Sequence, residues 1–74
     1  MFGLGKQRSK LGKWIDKRGI KQEWLIKQAK VSKGTVTSAC GDPDYIPGGK
    51  TMQKIIKALR EVDPSVSASD FWEI

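Results

Sequence analysis

Gln22-Glu-Trp-Leu-Ile-Lys-Gln-Ala-Lys-Val-Ser-Lys-Gly-Thr-Val-Thr-Ser-Ala-Cys40 is the stretch on which the fold turns. Leu25, Ile26 and Ala29 repeat at helical spacing, so about Lys21 to Lys30 reads as an amphipathic helix. Val31 interrupts the pattern, and Ser32 is a good N-cap for a second helix running to Cys40. Val36, Ala39 and Cys40 form the inward face of that helix, and Gly41 is expected to end it. Two or three residues are all that separate these helices. So short a join forces them to pack against one another at a steep angle.

Outward from this pair, the flanks also read as helix. Residues Ser9 to Arg18 place Leu11, Trp14 and Ile15 on one face, with Gly19 as a left-handed stop. Residues 41–50 are a loop by composition, and Thr51 is the expected cap of a further helix carrying Met52, Ile55, Ile56 and Leu59. Asp63-Pro64 breaks the chain, and Ser67 is expected to cap a short last helix with Phe71 and Trp72. No strand, repeat or long linker is read. The expectation is an all-α, compact orthogonal bundle of about five short helices over residues 8–74, preceded by a basic arm at 1–7.

With 74 residues the chain holds one small core, and it has no histidine and one cysteine. The commonest general base is therefore missing, and no internal disulfide or CxxC site exists. No clustered carboxylates are present, so neither catalysis, a cofactor nor a metal is expected. Gly49-Lys50-Thr51 ends like a phosphate-binding loop, but that pattern needs Gly where Asp44 stands. No apolar run approaches a membrane span, and Met1 to Lys6 is too short and polar for a signal peptide. A cytoplasmic, nucleoid-associated location is the expectation.

Charge is unevenly spread. The net charge of +6 divides into +8 over residues 1–33 and −2 over residues 34–74. That polarity implies a polyanionic partner, most simply nucleic acid.

At residues 22–40 the sequence resembles the helix-turn-helix of the Cro, phage-repressor and Xre-like regulators. Gln22, Leu25, Ile26, Ala29, Val31, Ser32 and Val36 carry the resemblance. Gly19-Ile20, Pro47, Thr51 and the Ile55-Ile56-Ala58-Leu59 helix extend it over about residues 8–72. Two positions depart from the pattern. Ile26 stands where the family has Ala, with Ala39 as a small neighbour, and Lys30 stands at a turn that favours Gly.

The resemblance implies a lambda-repressor-like domain and a dimeric, sequence-specific transcriptional regulator of phage or mobile-element type. The second helix of the motif would enter the major groove of double-stranded DNA. Ser32, Lys33, Gly34, Thr37 and Ser38 then face the bases, with Lys33 as the long donor suited to guanine. Gln22 would hold a phosphate at a helix N-terminus, Lys50 and Thr51 would clamp the other side, and Lys6, Arg8 and Lys10 would follow the backbone. A homodimer seam is expected at Phe71, Trp72 and Ile74, unless these residues close the core instead. Trp14 reads as core and Cys40 as a small buried hydrophobe. Trp24 either packs over the first helix or meets a protein partner. The alternative function is a protein-interaction module on the same fold that modulates another regulator.

Overall fold

The computed structural model describes residues 8–72, and all regular structure among them is helical. Four α-helices follow in order: α1 (Lys10–Lys17), α2 (Gln22–Ala29), α3 (Lys33–Gly41) and α4 (Gly49–Leu59). The expected fifth helix is a single 3-10 turn, Ala68–Asp70. The Ser67 amide donates to Asp70 Oδ2 at 2.8 Å in a capping box. Phe71 and Trp72 follow that turn rather than ride on it, because both rings fold inward to the core. One turn ordered for one or two hydrogen bonds is poor nucleation for anything longer.

The start of α4 also differs from expectation. Thr51 does not cap it. Gly48 is the N-cap, and its carbonyl accepts from the Met52 amide at 2.9 Å, so Thr51 lies three residues past the cap, within the first turn. Gly41, expected as the stop after α3, is its last helical residue, and Asp42 is the C-cap. The stop after α1 is as read. Gly19 has φ +70°, and its amide bonds Asp16 O while that of Ile20 bonds Ile15 O. That paired bonding is the glycine-terminated helix end.

Leu11, Ile15, Leu25, Val36, Ile55 and Leu59 form the buried centre, to which every α-helix contributes. Phe71 and Trp72 are 8% and 5% exposed and belong to the same core. Phe71 meets Trp14 of α1 edge-on at 6.0 Å between centroids, and Trp72 at 5.8 Å. Trp14 is half-buried, with the Arg18 guanidinium 3.9 Å above its ring. Past α4, Asp63 Oδ1 accepts from the amide and hydroxyl of Ser65, which hold its carboxyl below the usual carboxylate range. The chain therefore turns back and delivers Val66 to the core.

One joint fixes α1 against α3. The buried Ser9 hydroxyl accepts from the Gly12 amide, capping α1, and donates to Ala39 O. The Ser9 amide donates to Cys40 O at 3.1 Å. Gly12 lets this approach happen, since a Cβ there would collide with the Cys40 carbonyl. Cys40 itself is fully buried, and desolvation pushes its thiol up to about 11. No helix among the described residues is long and apolar enough to cross a membrane.

Two outcomes follow from this joint. Gly12→Ala should lower stability by about 2 kcal/mol through overpacking, although helix propensity alone favours Ala by about 1 kcal/mol. Thermal denaturation of the two proteins reads the sign directly. Cys40 supplies the second test. Its folded pKa lies above its unfolded one, so its contribution is intact below the ordinary value of 9.0 and lost as pH rises through about 11. The stability margin of the parent over Cys40→Ala should narrow across that window and stay constant below it, as measured by urea unfolding.

Candidate nucleic-acid interface

Helices α2 and α3 are joined by Lys30, Val31 and Ser32. Lys30 sits in the left-handed region at φ 55°, ψ 47°, the one non-glycine residue with positive φ among those described. That backbone conformation turns the chain sharply enough for α3 to fold back on α2. It is unfavourable for an L side chain by about 1–2 kcal/mol.

Ser32 begins α3 as expected. Its hydroxyl accepts from the Thr35 amide at 3.2 Å and pairs with Thr35 Oγ1 at 2.8 Å. From there the helix has two clean sides. Val36, Ala39 and Cys40 are buried, while Lys33, Gly34, Thr37 and Gly41 are exposed and Ser38 is half-buried. The outward residues recur at i, i+1, i+4 and i+5, so they form one stripe. The stripe holds hydroxyls, a bare backbone at Gly34 and one ammonium, with no carboxylate.

Gln22 joins this stripe from α2. The Thr37 hydroxyl lies 3.5 Å from Gln22 Oε1, a long contact that brings the start of α2 beside the middle of α3. The N-cap of α2, Lys21, makes no side-chain capping bond, and neither does Gly48 at α4. The first amides of these two helices therefore lack a side-chain cap, which favours anions there, although exposed Glu23 stands in the first turn of α2. Lys50 is exposed in the first turn of α4, and Thr51 beside it is half-buried.

The remaining candidates lie elsewhere. Lys10 and Arg8 flank the Ser9 joint at the C-terminal end of α3, about 10 Å along its axis from Lys33 at ~1.5 Å per residue. Arg8 is not a free strand of an arm, because its Nε lies 2.6 Å from Asp16 Oδ2 across α1. Lys6, the rest of the arm at 1–7, and Ile74 lie outside the described residues. Trp24 is half-buried and packs against the core, with Ile26 beside it. Sequence reading missed Thr35 as the partner of Ser32, and it missed the Ser9–Gly12 joint that orients α3. Gly12 inside an otherwise good helical pattern was the available signal. Among the described residues there is no group of three metal-ligating side chains.

No family model matches the chain, and neither the curated proteins nor the solved structures contain a match.

The turn yields its own test. Lys30→Gly should raise stability by up to about 1 kcal/mol, because glycine adopts this φ without steric cost. Chemical denaturation measures it, and a loss of stability would show that the Lys30 side chain holds the turn in some other way.

Proposed function

We propose that this chain is a sequence-specific DNA-binding regulator whose α2–turn–α3 unit is a helix-turn-helix of the Cro and phage-repressor kind. The observation that carries the reading is the outward stripe of α3. It is a row of exposed Lys33, Gly34 and Thr37 with half-buried Ser38, free of acid and flanked by Gln22 at the uncapped start of α2.

In this reading α3 lies in the major groove with its N-terminal half leading. Lys33 donates to guanine O6 and N7, and Ser38 and Thr37 bond adjacent base edges. Gly34 brings the backbone close. Ser32 and the α2 amides near Gln22 meet phosphate, as do the first amides of α4 with Lys50 and Thr51. Lys10 adds a backbone contact, and Arg8 does so only after leaving Asp16. With one long donor on α3, part of the preference comes from DNA shape and deformability. A dimer on half-sites about 34 Å apart would complete the assembly. Phe71 and Trp72 are buried within one chain, so such a seam has to draw on other residues.

Base reading and backbone holding separate experimentally at two lysines. Lys33 leads α3, while Lys27 lies exposed in the last turn of α2. Lys33→Ala should cost about 1–3 kcal/mol at the preferred site and relax preference at one position. Lys27→Ala should leave the preferred sequence unchanged. Selection from a randomised duplex library, repeated across salt, reads both. The parent should lose affinity with a log–log slope of about −0.9 per phosphate contact. A salt-insensitive parent, or a Lys33→Ala variant with the parental sequence margin, contradicts the proposal.

A further inference from the structure

Besides its first-turn amides, which the proposed DNA contact uses, the outer face of α4 carries a second feature. An open, mostly apolar groove of about 580 Å³ runs from Gly49 to Arg60, floored by Met52, Ile56 and Ala68. It extends the length of α4, about 16 Å at ~1.5 Å per residue. Gln53, Lys57 and Arg60 form its rim, and no carboxylate lines it.

Arg60 is held in place for a particular contact. Its Nε donates to the Val66 carbonyl at 2.9 Å, which pins the guanidinium where the chain turns back after α4. The Nε edge is thereby occupied, and the remaining pair of terminal nitrogens is the edge that can fork onto a carboxylate. A fixed cation beside an apolar floor selects a ligand that carries both properties at once.

We propose that this groove binds an acidic amphipathic helix from a protein partner, with apolar residues of one face on Met52, Ile56 and Ala68 and a carboxylate on Arg60. Charge complementarity argues for that occupant. The rim holds two cations and no anion, and a helix of about three turns matches the groove in length. Nucleic acid fits less well, since phosphates gain nothing from an apolar floor. This contact is independent of the α3 stripe, so it leaves the DNA-binding proposal to stand or fall separately.

The test uses a fluorescein-labelled 14-residue peptide with leucines at i, i+3, i+4, i+7 and i+11 and glutamates at most other positions. Anisotropy titration with the full chain should show saturable binding. A peptide of the same composition with its leucines scattered off one face should bind at least tenfold more weakly, as should the peptide with lysine replacing glutamate. Arg60→Glu should weaken the amphipathic peptide at least tenfold while leaving duplex affinity within twofold. Should Arg60→Glu fail to fold by circular dichroism, Lys57→Glu replaces it, with a loss of at least threefold expected. Equal binding of the scattered peptide would overturn the proposal, because charge alone then suffices. Unchanged peptide affinity in the variant that folds would overturn it too. So would a parallel loss of duplex binding, or sedimentation showing that the face is buried between two copies of this chain.

Discussion

The contact on which the structure depends is the meeting of Ser9 with the C-terminal end of α3. A nine-residue helix of Lys, Gly, Thr, Val, Thr, Ser, Ala, Cys and Gly has little intrinsic reason to form. Its last carbonyls also lack partners within the helix. Ser9 supplies two of them, through its hydroxyl to Ala39 and its amide to Cys40, while the Asp42 amide takes Ser38. Ser32 satisfies the other end through Thr35. Pinned at both termini and buried along Val36, Ala39 and Cys40, α3 does not need strong helix formers on its outward face. Small polar residues are free to occupy it.

The same joint separates the surfaces of the molecule. Gly12 turns α1 toward Cys40, while Lys10, Lys13 and Lys17 repeat on the side of α1 away from Leu11 and Ile15. The acid-free stripe of α3 faces outward from a different helix. The α4 groove belongs to a third face, closed at one end by the chain that returns through Val66 and Ala68. A small chain thus presents one polar stripe and one apolar groove on separate elements. We propose DNA as the partner of the stripe and an acidic protein helix as that of the groove.

Local chemistry made most of the fold legible. Apolar spacing located all four α-helices, Ser32 and Gly19 marked a start and a stop, and the family resemblance placed Lys30 at the turn. Failures came where distant contacts decide. Thr51 looks like a cap, yet the N-cap of α4 is Gly48, three residues earlier, directly after Pro47, whose burial fixes where the helix enters. Phe71 and Trp72 read as residues of a short helix that either form a seam or close the core, and the edge-on stacking of Phe71 on Trp14 decides for the core, past the end of the helical turn. For the candidate site, the α3 stripe follows from helical period alone. The pairing of Arg8 with Asp16 does not, because it depends on how the residues before α1 fold back along it.

The most direct test is which backbone amides respond to DNA. The ¹⁵N-labelled chain should be titrated with a short duplex carrying its selected sequence. Gln22, Lys33, Gly34, Thr37 and Ser38 should shift most, while Ser9, Gly12 and Cys40 hold still because the joint behind α3 does not move. Shifts concentrated between Met52 and Arg60, or around Trp24, with α3 silent, would contradict the DNA-binding proposal.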